Sequence, residues 1–412
     1  MFPTRAATLR SAPSWTSLVR PAAPGATDRR LDGVDEGARC RAAHARRARA
    51  KAEGALNVAG LEASSLDPSR LGAARRVLFV GKSMSRTRCT GALVDALRRH
   101  GVEVRWRNLV TWRRWFGMQM AHRLCRAEFE RYRPDVVFVF LRDLPLVLMS
   151  EFRKQARIVV WCEEALETTD TSIIDYFGHA DILCMSNPAR FAWLREHGLT
   201  NMAFLMSGFS PRYHRPAAAQ RQVRDVAFIG GPGGQGQRAE LLVKLAEEFD
   251  VHAYGGQWQS WSGARGKLKI HGAVKNRAYA KVCATSRIVL GVNEVNDSEL
   301  YCSNRTFLTM ACRGFHLTHY VPGLERVFQD GEHLAFFRSG DDAFEKIAEW
   351  LPKSEQRARV AAAGRAQVLR YHQYYHRVAR ILQWLEHGLP RERQPLPPVP
   401  AAAARAVESA GS

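Results

Sequence analysis

Short, continuous apolar runs separated by helix-length segments constrain this chain more than any other feature. Residues 76–81 (Arg-Val-Leu-Phe-Val-Gly), 135–140, 158–161, 181–185, 225–230 (Asp-Val-Ala-Phe-Ile-Gly), 251–255 and 288–292 are short and mostly apolar, with little polar alternation. A strand with one wet face alternates polar and apolar residues, whereas a strand covered on both faces does not. The runs therefore predict buried parallel strands. Shorter strands are expected at 102–104, 267–271 and 315–318. Helices are expected at 90–100, 145–155, 238–249, 279–285, 304–313, 341–351 and 355–385, the last in one piece or two.

The series pauses once, at the polar stretch 217–224, and then begins again. The organisation predicted is two Rossmann-like units, residues 75–216 and 217–388, with ligands bound at the carboxyl ends of their strands. Residues 1–74 are rich in Ala, Arg, Gly, Pro and Ser and lack apolar periodicity. They read as a disordered basic tail or a misassigned start, with too little apolar surface to offset ordering entropy. The stretch has no apolar signal-peptide core, and Asp32, Asp35 and Glu36 weaken an organelle transit reading. Residues 389–412, with Pro395, Pro397, Pro398 and Pro400 before an alanine run, form a second tail.

The chain carries 61 Lys and Arg against 40 Asp and Glu, a formal charge of +21, which favours an anionic partner. No apolar run approaches the roughly 18 residues of a spanning helix. Residues 136–149 come nearest and are cut by Arg142 and Asp143. Eight scattered cysteines without a C-x-x-C pair argue against a zinc ribbon or disulfide scaffold and point to reduced thiols in a cytoplasm.

Gly81-Lys82-Ser83 follows a strand, but a phosphate loop needs glycine where Arg76 stands, so a tight turn is expected there. The segment Gly231-Pro232-Gly233-Gly234-Gln235-Gly236 matches G-x-G-x-x-G between a strand and a helix. A phosphate approaching the backbone there would meet a helix N-terminus, and Arg238 is placed to clamp a diphosphate. A dinucleotide reading also needs an acid at the end of the next strand, which instead ends Tyr254-Gly255-Gly256. A merely flexible turn remains the alternative. Glu163 and Glu164 close the strand 158–161, where a carboxylate serves as general base, acceptor ligand or simple cap. His372 and His376 have metal-pair spacing, but no third ligand is near. Trp106, Trp112, Trp115 and Phe116 interleave with Arg105, Arg107, Arg113 and Arg114. That mixture suits an anionic membrane face or nucleic acid, or inward-packed rings with arginines in water.

Four stretches of the second unit resemble the CgeB-type (spore-maturation-like) glycosyltransferases of the GT-B superfamily. They are residues 225–230 with Arg238; 251–258, ending Tyr254-Gly255-Gly256-Gln257-Trp258; 271–293, through Tyr279 to Asn293; and 304–318, Asn304-Arg305-Thr306-Phe307-Leu308 through Gly314 to Thr318. Gly323-Leu324-Glu325, Phe328, residues 371–374 and Arg377 extend the likeness. The first unit is similar more loosely, through 133–137 and 158–164.

The resemblance implies a GT-B fold, with two Rossmann-like domains facing a central cleft, and metal-independent transfer of a sugar from a nucleotide-sugar to a glycan, lipid or protein. Residues 75–216 would hold the acceptor and 217–388 the donor, with the closing helix at the end of the latter. The nucleotide-sugar is a substrate, so no cofactor is implied. Donor contacts fall on Gly230, Gly231, Gly233, Gly234, Arg238, Trp258, Asn304, Arg305 and Gly314. Glu163 and Glu164 are the candidate catalytic acids. A cytoplasmic protein touching the inner membrane face is expected, and nucleic acid is not an expected partner. The sequence departs from the family at Leu308, where a glutamate would bind the donor ribose. A catalytically inactive GT-B-like module that binds a nucleotide or glycan is therefore the alternative.

Overall fold

The structure is a computed structural model, and it describes residues 75–82, 89–163, 171–233, 237–293 and 295–389. The first apolar series forms β1 (Arg76–Val80), β2 (Glu103–Arg107), β3 (Val136–Phe140), β4 (Arg157–Cys162), β5 (Ile182–Met185) and β6 (Met202–Phe204). They make one parallel sheet in the order β2-β1-β3-β4-β5-β6. The helices between them are α1 (Cys89–Arg99), α2 (Leu109–Tyr132), α3 (Leu146–Phe152), α4 (Ser172–Gly178) and α5 (Phe191–Glu196). Register aligns Val77 with Val136, Leu78 with Val137 and Phe79 with Phe138.

Successive side chains point to opposite faces of a strand. Here both faces are covered. Leu78, Val80, Val137, Val139, Ile158 and Val160 pack beneath α2 to α5. Val77, Phe79, Val136, Phe138, Val159 and Trp161 pack on the other side, against α1. That double coverage is why the sequence runs lack alternation.

The second series repeats the plan. It comprises β7 (Arg224–Ile229), β8 (Val251–Tyr254), β9 (Lys269–His271), β10 (Ser286–Gly291), β11 (His316–His319) and β12 (Ala335–Phe337), ordered β12-β11-β10-β7-β8-β9, again all parallel. Its helices are α6 (Gln237–Glu248), α7 (Arg277–Thr285), α8 (Asn304–Ala311), α9 (Gly340–Trp350), α10 (Ser354–Tyr371) and α11 (Tyr374–His387).

The helical stretch expected over 355–385 is two helices. Gln373 takes up extended backbone and caps α11 reciprocally with His376, so a new helix starts in a new direction. Helix α11 returns to the first sheet, where Val378, Ile381, Leu382, Trp384 and Leu385 join the core around Phe79 and Trp161. Burying each such side chain stabilises the arrangement by roughly 1.5–3 kcal/mol. Arg377 sits at the crossover, almost wholly buried. It donates to the carbonyls of Met206 (2.8 Å), Ser207 (3.2 Å) and Tyr371 (3.0 Å) and bonds His372 Nδ1 (2.9 Å). His372 and His376 therefore do not share a helix face: the first is packed between the rings of Phe307 and Phe328, and the second serves the cap.

Two three-residue strands, β6 and β12, and helices α2, α4 and α5 were not expected from the sequence. The seven described cysteines are free and buried. Among the described residues, no helix is long and apolar enough to cross a membrane. The two tails lie outside the described residues.

Candidate functional site

All strands of the second sheet end on one rim, and the residues just beyond those ends gather there. Gly230 to Gly233 follow β7, Val292 and Asn293 follow β10, His319 ends β11 and Gly340 opens α9 after β12. Gly233, Arg238, Asn293, His319 and Asp341 are among the residues lining a cavity of about 300 Å³ on this rim.

The glycine turn is fixed by its neighbours. The Gly230 N–H donates to the Tyr254 carbonyl (2.9 Å), and the Gly230 carbonyl accepts from the Trp258 indole (2.6 Å). A Cβ on Gly230 would run into the Arg305 guanidinium, and one on Gly231 into the Gln257 amide. Gly233 has a φ of +85°, which a side chain disfavours. The sequence uses glycine here because two long side chains close over the backbone.

Arg238, in the first turn of α6, is buried and donates to the Gly231 carbonyl (3.1 Å). Arg305, in the first turn of α8, donates to the Val292 carbonyl (3.3 Å). Both guanidinium carbons lie close to the Phe228 ring, at 5.7 and 5.6 Å from its centroid. The structure thus brings Gly230, Gly231, Gly233, Arg238, Asn304 and Arg305 to one rim.

Helix α8 opens onto the same place. Its cap, Ser303, makes no side-chain capping bond, while the Ser303 N–H donates to Asn293 Oδ1 (3.1 Å). That bond fixes the Asn293 amide. Its Nδ2 is buried and has no hydrogen-bond partner, beside a helix end that carries partial positive charge. His316 and Tyr279 hold the helix from beneath. His316 Nε2 meets Thr306 Oγ1 (3.3 Å) and its Nδ1 faces the Val289 carbonyl (3.0 Å), while the Tyr279 hydroxyl meets Thr309 Oγ1 (2.9 Å). Burial pulls the His316 pKa down to about 4, so the ring is neutral, and burial pushes the Tyr279 hydroxyl well above its usual range.

Two expected donor contacts are corrected. Trp258 is fully buried, with its indole N–H bonded to Gly230 and its ring against Phe228 and Trp261. It braces the glycine turn and has no surface to offer a ligand. Gly314 precedes β11 and donates to the Thr309 carbonyl (3.0 Å). It lies at the amino end of a parallel strand, opposite the rim, where a Cβ would crowd Thr309, Cys283 and Val289. Gly234 and Glu164 lie outside the described residues.

On the first sheet, Glu163 follows β4. Its Oε1 accepts from the Tyr374 hydroxyl (2.9 Å) and the Ser207 hydroxyl (3.2 Å). Beside it, burial raises the Cys89 thiol well above its ordinary range, with the Glu163 carboxylate adding to the effect. Lys82 makes an ion pair with buried Asp143 (3.4 Å), whose other oxygen accepts from the Lys82 N–H (2.6 Å). Ser83, the last residue of the turn expected after β1, lies outside the described residues. Sequence reasoning missed Asn296, His319 and Asp341 as rim residues and gave Asn293 no role. Position directly after a strand, or at the start of the following helix, was the available signal.

Solved structures with this arrangement decide the fold. HepE of Anabaena, in complex with UDP and glucose, superposes with a TM-score of 0.56 at 12% identity, over 76% of this chain and all of that one. Sucrose-phosphate synthase of Thermosynechococcus elongatus gives 0.58 at 12% identity over the same shares. An α-glucosyltransferase in complex with UDP and a 13-mer DNA gives 0.55 at 10% identity, also over 76% and 100%. The chain has the GT-B fold. Within it, residues 237–383 match the family model described as glycosyl transferase-like. That match spans α6 to α11 and thus the rim helices of the GT-B second sheet. No curated protein matches the sequence. Leu308, where the resemblance wants a glutamate, lies one turn along α8 from Asn304, partly buried against two apolar clusters of this GT-B half.

Proposed function

We propose that this protein is a CgeB-type glycosyltransferase that moves a sugar from a nucleotide-sugar to a glycan, lipid or protein acceptor without a metal. The observation that carries the reading is the gathering of Arg238, Arg305, the Asn293 amide and the start of α8 at the carboxyl rim of the second sheet, where Arg238 and Asn293 line a cavity and both guanidinium groups lie by the Phe228 ring. Transfer breaks the bond between the sugar carbon and the diphosphate oxygen, and negative charge grows on the leaving diphosphate. Fixed guanidinium groups, an amide N–H and a helix N-terminus stabilise that charge without reorganising, which is the work a metal does elsewhere.

In this reading residues 217–388 hold the donor and residues 75–216 the acceptor. Glu163, with Glu164 beside it in sequence, receives the acceptor hydroxyl proton. Tyr374 and Ser207 hold one Glu163 oxygen, fixing the carboxylate for that role. The protein would work in the cytoplasm, with a peripheral contact to the inner membrane face.

Calorimetric titration with UDP and GDP, followed by an assay for release of nucleotide from the matching nucleotide-sugar, tests this. Binding of one nucleotide with slow donor hydrolysis is expected. Binding without any turnover on any donor favours an inactive nucleotide-binding module. Leu308 favours that second reading, because an apolar side chain cannot accept a ribose hydrogen bond.

A further inference from the structure

Residues 104–127 contain six arginines and no acidic residue. They run from β2 along most of α2, whose first turn is capped by Asn108 Oδ1 accepting from the Thr111 N–H (3.0 Å). The second half of α2 is an ordinary core helix. Ala121, Cys125, Phe129 and Tyr132 recur on one face, buried against the first sheet. The first half behaves otherwise. Every residue from 113 to 120, Arg-Arg-Trp-Phe-Gly-Met-Gln-Met, is exposed. Trp115 is 71% exposed, Met118 54%, Phe116 52% and Met120 43%.

A surface helix normally turns such residues inward. Here Gly117 prevents it, with a φ of +78° and ψ of 168° that break the helical path. The break lifts Trp115 and Phe116 away from the sheet, their rings edge to face at 6.2 Å. Behind them lies a recess of about 630 Å³ whose lining includes Trp106, Trp112, Trp115 and Leu124. Trp115 and Leu124 are both exposed and both line it, so the recess opens onto the same surface. The nearby acid, Glu128, is buried and already bonded by Arg105 (3.2 Å), Arg107 (2.8 Å) and Arg131 (2.7 Å). Arg113, Arg114 and Arg123 stay exposed beside the apolar side chains.

We infer that the first half of α2 docks on an anionic lipid surface, with Trp115, Phe116, Met118 and Met120 entering the headgroup boundary and Arg113, Arg114 and Arg123 meeting lipid phosphates. Aromatic and aliphatic side chains flanked by arginine form the pattern of an interfacial helix. Other occupants fit less well. A second copy meeting this face across a two-fold axis would set arginine against arginine. A nucleic acid would satisfy the arginines and stack on Trp115 and Phe116, but it gives Met118, Met120 and Leu124 nothing apolar to cover them. The inference does not depend on the donor site.

The test is sedimentation of the full chain with phosphatidylcholine vesicles, with and without phosphatidylglycerol. Binding that requires phosphatidylglycerol is expected. The triple change Trp115→Ser, Phe116→Ser and Met118→Ser should lower partitioning about tenfold or more, while R113Q with R114Q should lower it less and flatten its salt dependence. All five residues are exposed, and an unchanged thermal midpoint confirms that the variants fold. In the wild type, brominated lipid should quench part of the tryptophan fluorescence, and W115F should remove that part. Unchanged partitioning of the triple variant overturns the inference, because the basic tail or another surface then carries the binding. Absence of vesicle binding by the wild type overturns it as well. So does loss, in the triple variant, of a dimer or of oligonucleotide binding where vesicles never bound.

Discussion

The two sheets are built on one plan, yet their carboxyl rims carry different side chains, bonded to different groups. On the first, Lys82 makes an ion pair with Asp143, and Glu163 is bound by the hydroxyls of Tyr374 and Ser207. On the second, Arg238 and Arg305 donate to the carbonyls of Gly231 and Val292. A carboxylate partner cancels a cation. The carbonyl bonds hold each guanidinium in position beside the Phe228 ring. Both rims follow a glycine-ended strand, so the difference lies in the side chains that the following elements bring to each.

The largest expected effect falls where the two halves are joined. Arg377→Ala removes a buried cation that satisfies three carbonyls, and burial has already drawn its pKa down to about 10. Losing such a group should cost about 3–5 kcal/mol, read as a fall in the urea midpoint. A surface-like loss below about 0.5 kcal/mol would show that the apolar face of α11 holds the halves together unaided.

Next comes the contrast between the rims. Arg305→Ala should weaken nucleotide binding by about 1.5–3 kcal/mol, the scale of a charge-assisted hydrogen bond, while Lys82→Ala should leave it unchanged. In an active enzyme, turnover should fall further than binding, because the contact tightens as the leaving group gains charge. Calorimetry with UDP and GDP reads both variants. Equal losses would erase the distinction between the rims, and full-strength binding by Arg305→Ala would move the donor site elsewhere.

Acid should loosen the protein through its buried histidines. Burial lowers the pKa of both His316 and His214 to about 4. Above the ordinary value of 6.5 neither the folded nor the unfolded chain protonates them. Below it the unfolded chain takes up protons that the folded one refuses. Stability should therefore fall between pH 6.5 and 4, on the order of 1 kcal/mol per pH unit for each ring. His316→Gln should flatten part of that slope in a series of urea melts, and an unaltered slope would assign the acid sensitivity to other groups.

The smallest expected effect belongs to Leu308→Glu. A carboxylate one turn into α8 should tighten nucleotide binding by about 1 kcal/mol, roughly fivefold, if a ribose lies against it. Weaker binding in a folded variant would mean that Leu308 serves the apolar clusters it touches and that the ribose sits elsewhere.

The layered architecture was legible because fully buried parallel strands leave an uninterrupted apolar signature. The residues 136–140 are buried throughout, and they read so in sequence. The glycine turn and Arg238 were legible as well, since a strand, glycines and a helix start leave few geometries. The three-residue strands β6 and β12 were not, because so short a stretch has no periodicity to read. Helix α2 was missed for another reason. Ala121, Cys125, Phe129 and Tyr132 do carry helical spacing, but the exposed half before Gly117 masks it with apolar residues on every side.

Residue chemistry and spacing thus determined which segments become strands, which become helices and where positive charge accumulates, since these depend on neighbours along the chain. Tertiary structure decided what each side chain meets. Trp258 and Gly314 stand with Arg305 among the residues the resemblance singles out, yet the first is sealed beneath the glycine turn and the second lies at the amino end of a strand. Asn293 became a candidate ligand when the Ser303 N–H, ten residues away, fixed one end of its amide and left the other without a partner. Exposure and hydrogen-bond satisfaction are properties of the packed chain, because a side chain's partners come from segments that only folding brings together.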